Sequence, residues 1–274
     1  MAGSQLIKQE LKRSGSTLVY WLNGPEKAPL VVLTHGATID HRTWNPQLKA
    51  LESEYRVLVW DVRGHGQSQP IGDKFNIAGA ADDLLAILDK IKVKQAVLVG
   101  QSMGGNISQE LVFSHPERVS AMFLLGCACN TWKLTGIEKL QIKFGVELIK
   151  NYPSGMLRSQ MGSRASIYPK VQEYIAEASE KVMKVGNLNT IWNALSLCLH
   201  YEEDYRIECP LMLAHGEYDN LGNFKKVMPL WVWRDPQARY VVIPGAGHAA
   251  NQDNPKFFNQ LLLDFLHLNA PVKK

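Results

Sequence analysis

Short apolar runs, separated by amphipathic stretches, dominate the hydrophobic pattern of this chain. Eight of these runs predict β-strands, at residues 5–11, 17–22, 30–34, 56–61, 96–100, 119–126, 211–215 and 240–243. From the third run onward, Val, Leu and Ile are dense and do not alternate with polar residues. Such runs are typical of strands that are covered on both faces, as in a parallel sheet. We therefore expect an α/β protein with a mostly parallel eight-stranded sheet.

The amphipathic stretches between the runs predict helices, at residues 44–51, 77–91, 106–113, 224–233 and 255–268. Before the fifth strand, Ile77, Leu84 and Leu88 fall on one stripe at helical spacing. The last helix is expected to begin with Asn254 as its N-cap and Pro255 at its first position. Strands that alternate with helices in this way predict a sheet flanked by helices.

The alternation of strands and helices stops between residues 130 and 208. The pattern there predicts helices only, at residues 137–150, 153–161, 169–185 and 188–200. Because this segment falls between the sixth and seventh strands, we interpret it as a helical cap inserted into an α/β core of residues 1–129 and 209–274. Ligands of open α/β sheets bind beyond the carboxyl ends of the strands, so a cap in this place would roof the site.

Composition and charge exclude several classes of protein. The chain has 274 residues, of which 46% are hydrophobic and 20% charged, and these values are ordinary for a soluble globular protein. The net charge of +4 is small and no basic run is present, so we expect neither a nucleic-acid partner nor a membrane partner. Residues 1–13 lack the apolar centre of a secretory signal, which predicts a cytoplasmic location. The sequence leaves the oligomeric state open.

The cysteines raise the question of a metal site or a disulfide. All of them lie in or beside apolar stretches, which is typical of buried thiols in a reducing compartment: Cys127, Cys129, Cys198 and Cys209. A zinc site built on Cys127, Cys129 and His200 would fit no familiar ligand spacing, so we expect neither a metal nor a disulfide. We also expect no cofactor, since residues 100–105 lack the Gly-x-Gly-x-x-Gly spacing and the lysine of a phosphate-binding loop.

One short motif carries the strongest chemical signal in the sequence. Gly100, Ser102 and Gly104 form a Gly-x-Ser-x-Gly pattern between the fifth apolar run and the helix that follows it. In a strand-turn-helix setting this pattern predicts a nucleophile elbow, where the serine occupies a sharp turn and its hydroxyl projects above the sheet. The flanking glycines suit a turn that leaves no room for neighbouring Cβ atoms. Ser102 is therefore the candidate nucleophile.

The base that Ser102 requires is expected to be a late histidine, since a serine hydroxyl is a weak nucleophile until its proton is removed. His248, in the loop after the last strand, is the candidate, because the order serine, acid, histidine requires a base late in the chain. Its rivals are His35, which we expect to shape a turn, and His215, which we expect to lie beneath the site. We expect the remaining histidines on the surface: His41, His65, His115, His200 and His267.

The acid that orients this base is expected in the loop after the seventh strand. Asp219 is the candidate there, and Glu217 is its local competitor. An acid after the sixth strand is excluded, since residues 127–130 contain no carboxylate. Asp61 also ends a strand, but we interpret it as part of a structured turn, where it forms local hydrogen bonds or an ion pair with Arg63.

Acyl transfer also requires hydrogen-bond donors directed at the oxygen that becomes negative in the transition state. One candidate is the backbone N–H of Met103, which follows the serine at a helix N-terminus, where the helix dipole favours negative charge. The other candidate is the backbone N–H of Ala37, at the end of the third strand. Gly36 beside it would allow the backbone to approach closely.

Together these motifs resemble those of the α/β-hydrolase-fold serine hydrolases that carry a helical cap. The matching segments occur in family order and span nearly the whole chain: Thr34 to Gly36, Asp61 to Ser68, Gly100 to Gly105, Gly216 to Asp219 and Gly247 to His248. The resemblance implies that Ser102, Asp219 and His248 form a triad that cleaves carboxylic esters through an acyl-enzyme, with a small-molecule ester and water as partners. Dehalogenases and epoxide hydrolases of this family carry aspartate at the elbow, so Ser102 speaks against both.

The same motifs leave the substrate open. Lactonases and carbon–carbon bond hydrolases of this fold share the triad, and some members act as small-molecule receptors with slow turnover. We expect the cap to supply an enclosed apolar pocket for a small to medium acyl group. Its candidate lining residues, most of which we expect to serve ordinary packing, are Trp132, Phe144, Leu148, Met156, Leu157, Met161, Ile191, Trp192, Leu195 and Leu197.

Overall fold

A mixed sheet of eight strands lies at the centre of the molecule, which the computed structural model describes over residues 6–72, 74–150 and 154–272. The strands are β1 (Ile7–Arg13), β2 (Ser16–Asn23), β3 (Leu30–Thr34), β4 (Arg56–Trp60), β5 (Ala96–Gln101), β6 (Val119–Leu125), β7 (Leu211–Gly216) and β8 (Ala238–Ile243). Their order across the sheet is β1-β2-β4-β3-β5-β6-β7-β8. Within this sheet β2 runs antiparallel to both of its neighbours and the other strand pairs are parallel, which confirms the predicted architecture.

The central strands bury both of their faces, because successive side chains of a strand point to opposite sides of the sheet. On one side, Leu33 of β3 lies in register with Val59 of β4 and Val99 of β5. On the other side, Val32 lies in register with Leu98. Full burial of each such side chain contributes about 1.5–3 kcal/mol, which explains why these runs carry no polar alternation.

Helices cover both faces of the sheet, as the sequence predicts. They are α1 (Asn45–Leu51), α2 (Ile77–Lys90), α3 (Met103–Ser114), α4 (Gly136–Lys150), α5 (Ser154–Ala165), α6 (Pro169–Lys184), α7 (Leu188–Leu197), α8 (Phe224–Arg234), α9 (Ala250–Asp253) and α10 (Pro255–Asn269). Helices α2, α3 and α8 contribute to the core on one face, and α1 and α10 contribute to the core on the other. The predicted N-cap of α10 is confirmed, since the Asn254 side chain accepts a hydrogen bond from the Phe257 N–H.

The start of α3 differs from the prediction, because the helix begins at Met103 rather than at residue 106. Gly104 and Gly105 therefore lie in the first turn of the helix, although glycine is a poor helix former. The structure uses the missing side chain instead. A Cβ atom on Gly104 would lie 2.2 Å from the Thr34 carbonyl oxygen, so glycine lets the first turn of α3 lie against β3.

Four helices, α4 to α7, form the segment between β6 and β7, where the sequence predicts helices only. In this segment α5 packs against α6, and α4 packs against α7. Ala165 of α5 joins a hydrophobic cluster with Ile39 and Ala249, which lie in the loops after β3 and β8. The two ends of the segment meet, since the His200 N–H donates to the Asn130 carbonyl oxygen over 2.7 Å. The division of the chain into core and cap domains stays a prediction.

The cysteines are free thiols, and three of them are buried in the core: Cys127, Cys129 and Cys198. Burial raises the pKa of the Cys127 and Cys198 thiols, which makes them poor nucleophiles. Within the described ranges, no group of three His, Cys, Asp or Glu side chains could hold a metal ion. Over the same residues, every helix is too short or too polar to cross a membrane. Two predicted element starts, residues 5 and 153, lie outside the described residues.

Candidate active site

Ser102 lies at the junction of β5 and α3 in a conformation that few side chains adopt. Its backbone angles are φ 52° and ψ −118°, in a region that strongly favours glycine. The turn around it is packed closely, since a Cβ atom on Gly100 would lie 2.4 Å from the Gly104 carbonyl oxygen. Such a conformation costs on the order of 1–3 kcal/mol and persists only where the surrounding structure enforces it. The strand and helix on either side therefore hold Ser102 in a strained turn.

A histidine and an aspartate meet at the carboxyl ends of the last two strands. His248 follows β8 and Asp219 follows β7, and Asp219 Oδ2 lies 2.8 Å from His248 Nδ1. Asp219 Oδ1 accepts a hydrogen bond from the Leu221 N–H over 3.0 Å, so both carboxylate oxygens have partners. With Nδ1 directed at the carboxylate as a donor, the Nε2 atom of His248 is left as the acceptor.

The backbone of Gly126, at the end of β6, passes directly beside this pair. A Cβ atom at this position would lie 3.0 Å from the His248 ring and 3.1 Å from Asp219 Oδ2. The residue also has a φ of +56°, which disfavours any other amino acid. Three strand ends, those of β6, β7 and β8, thus fix the positions of the two side chains.

A cavity of about 280 Å³ lies above the elbow. It is bordered by the loops that follow β3, β5, β7 and β8 and by helices α5, α6 and α7. The lining residues are Gly36, Ala37, Thr38, Ile39, Gln101, Ser102, Leu157, Gln160, Met161, Arg164, Ala165, Ile175, Trp192, Leu221, His248 and Ala249. Ser102, His248 and Ala37, all singled out in the sequence, therefore share the wall of one cavity.

The two candidate oxyanion donors belong to residues next to Ser102 in the chain or in space. Met103 begins α3, so its N–H has no acceptor within the helix. Ala37 follows Gly36, where a Cβ atom would lie 3.3 Å from the Ser102 Cβ. In the part of the chain that the structure describes, neither the Ala37 nor the Met103 N–H donates a hydrogen bond to another residue. Both groups are free to bind a negative oxygen.

The rival base and acid candidates have other partners. His35 Nε2 accepts a hydrogen bond from the Val62 N–H over 2.9 Å, so it supports the turn after β4. His215 Nε2 lies 2.6 Å from the Tyr240 hydroxyl. Glu217 is exposed and accepts a hydrogen bond from the Gly245 N–H over 2.9 Å. None of these three acidic or basic side chains belongs to the described lining of the cavity.

Of the two alternatives predicted for Asp61, local hydrogen bonds are confirmed and the ion pair with Arg63 is wrong. Arg63 Nε donates to Asp83 Oδ2 on α2 over 2.9 Å, whereas Asp61 accepts from the backbone N–H groups of His41 and Gln67. Both side chains are buried, so each needs polar partners. Tertiary packing supplies Asp83 for Arg63 and His41 for Asp61, and the turn itself supplies Gln67 for Asp61. The turn is structured, as predicted.

The prediction that His65 lies on the surface is also wrong, since its side chain is fully buried. Its ring lies 5.0 Å from the ring of His35, and its Nδ1 lies 3.2 Å from the Arg63 carbonyl oxygen. Burial and the neighbouring His35 lower the pKa of His65 to about 3. Burial likewise lowers the pKa of His35, so both imidazoles are neutral at pH 7.

A family model described as alpha/beta hydrolase fold matches residues 29–255, which is more than half of the chain. The chain belongs to the α/β-hydrolase-fold family. The match supports hydrolase activity in general and leaves open which bond is cut. The observed strand order and the site above the carboxyl ends of the parallel strands agree with this membership.

Individual relatives of this α/β hydrolase have several activities. The enzyme named 3-oxoadipate enol-lactonase 1 of Acinetobacter baylyi is 37% identical over 124 residues, a match that spans 45% of this chain and 46% of that relative. A thermophilic esterase from Thermogutta terrifontis superposes with a TM-score of 0.83 and 23% identity over 97% of this chain and 99% of that one. An enol-lactonase from Burkholderia xenovorans LB400 superposes with a TM-score of 0.78 and 23% identity over 94% and 99% of the two chains. These structural likenesses show the fold alone.

Three of the helical residues predicted to line the cavity of this α/β hydrolase do so: Leu157, Met161 and Trp192. The other predicted lining residues have different surroundings. Ile191 and Leu195 pack in the core and Trp132 packs against Arg234, while Phe144, Met156 and Leu197 are exposed. The side chain of Leu148 lies outside the described residues. Helical periodicity identifies the apolar face of a helix, but it does not predict whether that face lines a cavity or packs in the core.

Asp253 supports the loop of His248 from outside the cavity lining, and it was not among the residues predicted from the sequence. Its Oδ2 accepts a hydrogen bond from the Gly247 N–H over 2.8 Å, and its Oδ1 accepts one from the Ser166 hydroxyl. It thereby connects the loop that carries His248 to the residue after α5. An acid shortly after the histidine and next to the start of α10 was the available signal. Its partners lie far apart in sequence, so the pattern alone did not show its role.

Proposed function

We propose that this α/β hydrolase cleaves carboxylic esters through an acyl-enzyme intermediate, with Ser102 as nucleophile, His248 as base and Asp219 as the orienting acid. The observation that carries the proposal is the 2.8 Å contact between Asp219 Oδ2 and His248 Nδ1, beside a cavity that Ser102 also lines. A carboxylate on Nδ1 fixes the tautomer of the imidazole and stabilises the imidazolium that forms during acyl transfer. This arrangement supports proton removal from a serine hydroxyl at neutral pH.

In the first step, Ser102 Oγ attacks the ester carbonyl carbon while His248 Nε2 takes the hydroxyl proton. The N–H groups of Ala37 and Met103 then stabilise the negative oxygen of the tetrahedral intermediate. The imidazolium gives its proton to the leaving alcohol, and the acyl group remains bound to Ser102. A water molecule, activated by the same imidazole, attacks the acyl carbon, releases the acid and restores the free serine.

The size and walls of the cavity favour small to medium acyl groups. Its volume of about 280 Å³ lies just below the range of about 300–1,000 Å³ that is usual for small-molecule pockets. Apolar side chains such as Leu157, Ile175 and Trp192 form much of its wall. We expect p-nitrophenyl butyrate to be cleaved with a higher kcat/KM than p-nitrophenyl dodecanoate.

Replacement of the nucleophile tests the proposal. We expect Ser102→Ala to lower kcat for p-nitrophenyl butyrate by roughly 10⁴-fold or more, because attack, proton transfer and acyl-enzyme formation are lost together. Ser196→Ala changes a half-buried serine on α7 that does not line the cavity, so it serves as the control and should keep full activity. Circular dichroism establishes that both variants are folded. A folded Ser102→Ala variant with activity within tenfold of the wild type would contradict the assignment.

A second candidate is lactone hydrolysis, in which the same steps open a cyclic ester. The observation that favours it is the 37% identity to a protein named enol-lactonase, although the match spans about half of each chain. A comparison of kcat/KM for γ- and δ-lactones with open esters of the same carbon number decides between the two. A preference of tenfold or more for the lactones would assign the protein as a lactonase. Both outcomes require that Ser102→Ala abolishes turnover.

A further inference from the structure

Charge is distributed unevenly around the cavity. The walls that face the substrate space are largely apolar, and Ile39, Ile175 and Trp192 are examples from a loop and two helices. Among the described residues that line this space, Arg164 is the one with a permanent positive charge. No lining residue in the described ranges is an aspartate or a glutamate. A guanidinium therefore borders the cavity without an acidic side chain in the same wall.

Arg164 also lacks a partner elsewhere in the described part of the protein. No hydrogen bond or ion pair joins it to another described residue, and it is exposed. Other arginines in the same region are paired. Arg158, on the same helix, lies 3.4 Å from Glu180 Oε2, and Arg42 lies 2.8 Å from Asp40 Oδ2. The guanidinium of Arg164 is thus available to a carboxylate that comes from outside the chain.

The backbone around Arg164 is held in a fixed position relative to the candidate base. Arg164 precedes the last residue of α5, Ala165, whose carbonyl oxygen accepts a hydrogen bond from the Ala249 N–H over 2.8 Å. Ala249 directly follows His248. Because this contact joins the end of α5 to the loop of His248, the two elements cannot separate without breaking a buried hydrogen bond.

We propose that Arg164 is a specificity-determining residue that binds the free carboxylate of the substrate, so that the preferred substrates are esters or lactones with an anionic group remote from the scissile bond. The inference rests on the proposed ester-cleaving function and narrows its substrate class. A guanidinium binds a carboxylate through two parallel N–H···O bonds, and the apolar wall next to it receives the connecting chain. Since Arg164 is exposed, salt screens the interaction in part.

Binding to the inactive Ser102→Ala protein tests this inference without any need for turnover. The two probes are monomethyl glutarate and methyl pentanoate. At the end of the acyl chain, monomethyl glutarate carries a carboxylate where methyl pentanoate carries a methyl group. We expect titration calorimetry at low salt to show about tenfold tighter binding of monomethyl glutarate, as for a hydrogen-bonded charged pair at a partly screened site. The preference should shrink at high salt.

Variants of the two arginines on α5 provide matched controls. In the Ser102→Ala background, Arg164→Gln should remove the preference for monomethyl glutarate, and Arg164→Lys should keep part of it because the charge remains. Arg158→Gln should leave the preference unchanged, since Arg158 pairs with Glu180. Equal binding of the two probes, undetectable binding of monomethyl glutarate, or a preference that survives Arg164→Gln would overturn the inference.

Kinetics with Ser102 intact separate this inference from the proposed function. We expect Arg164→Gln to raise KM for monomethyl glutarate about tenfold with little change in kcat, because the contact is made equally in the ground state and the transition state. Its effect on methyl pentanoate should stay within about twofold. If p-nitrophenyl butyrate and both methyl esters are left uncleaved, the ester-cleaving proposal fails, and the calorimetric comparison still decides whether Arg164 binds carboxylates.

Discussion

At the scale of single residues, the conformation of Ser102 links stability to the proposed reaction. Its φ of 52° and ψ of −118° raise the hydroxyl above the sheet, and a non-glycine residue holds these angles at a cost of about 1–3 kcal/mol. The turn is kept by the glycines around it, since a Cβ atom on Gly104 would lie 2.2 Å from the Thr34 carbonyl oxygen. The protein therefore stores local strain at the residue that is proposed to attack the substrate.

Replacement of Ser102 by glycine should release that strain. We expect Ser102→Gly to be inactive and to have a free energy of unfolding about 1 kcal/mol above that of Ser102→Ala. Glycine adopts these backbone angles without strain, which stabilises the folded state. The greater conformational entropy of glycine in the unfolded chain offsets only part of this stabilisation. Urea denaturation of the two variants measures the difference. A Ser102→Gly protein less stable than Ser102→Ala would contradict the account of the turn.

Some residues of the candidate site could be predicted from the sequence and others could not. The motifs predicted Ser102, Asp219 and His248 because each follows a buried strand, and the carboxyl ends of parallel strands meet at one edge of a sheet. Arg164 and Asp253 could not be predicted in the same way. The role of each depends on the rotation of a helix or on a contact between distant parts of the chain, and neither leaves a local pattern.

At the scale of elements, the loop after β8 depends on contacts with α5 and with the segment that follows it. Asp253 accepts hydrogen bonds from Gly247 in this loop and from Ser166 beyond α5. The Ala249 N–H adds a bond to the Ala165 carbonyl oxygen. Burial raises the pKa of Asp253, since the charged carboxylate loses water contacts there. The Gly247 N–H and the Ser166 hydroxyl are hydrogen-bond donors that require this carboxylate as their acceptor.

Removal of this carboxylate should destabilise the protein and loosen the loop of His248. We expect Asp253→Ala to lower the free energy of unfolding by roughly 2–4 kcal/mol, because the Gly247 N–H and the Ser166 hydroxyl lose their buried acceptor. The kcat for p-nitrophenyl butyrate should fall as well, as the imidazole is held less firmly. Urea denaturation and steady-state kinetics measure the two effects.

Asp264→Ala is the matched control for this change, since Asp264 lies on α10 and accepts a hydrogen bond only from the exposed Gln260 among the described residues. It should alter the free energy of unfolding by less than about 0.5 kcal/mol. An Asp253→Ala protein that is as stable and as active as this control would show that the connection between loop and helix has no energetic role.

The elements themselves were largely predictable from the sequence. Strands and helices of the core appear where dense apolar runs and helical stripes predict them, because burial on both faces leaves a clear pattern. The start of α3 was missed because two glycines serve close packing there. The strand order, in which β4 lies between β2 and β3, follows from contacts between distant segments and from no local pattern.

At the scale of the whole molecule, a pair of buried histidines couples stability to pH. His65 and His35 lie side by side in the interior, and burial lowers the pKa of both below the ordinary value near 6.5. Below that value the unfolded chain binds protons at these positions while the folded protein does not. The stabilisation is therefore complete above about pH 6.5 and is lost progressively as the pH falls toward the folded-state pKa of His65, about 3.

A variant without the His65 imidazole should show a weaker dependence on pH. The free energy of unfolding is expected to fall between pH 7 and pH 5 in both proteins. We expect this fall to be roughly 2 kcal/mol smaller in His65→Gln than in the wild type. Guanidinium denaturation at both pH values measures the slope, which is independent of any constant loss caused by the substitution. Ser196→Ala, which removes no titratable group, is the control and should keep the wild-type slope. Equal slopes in all three proteins would contradict the coupling.

Covalent labelling tests most directly the central claim that Ser102 is the activated nucleophile. The wild-type protein is treated with diisopropyl fluorophosphate, and peptide mass spectrometry locates the adduct. The account predicts one modified residue, Ser102, with labelling slowed by at least about 10²-fold in His248→Ala, because the base no longer removes the hydroxyl proton. An adduct on a different residue would contradict the account. So would a treated wild-type protein that keeps its full ester-cleaving activity and carries no adduct on Ser102.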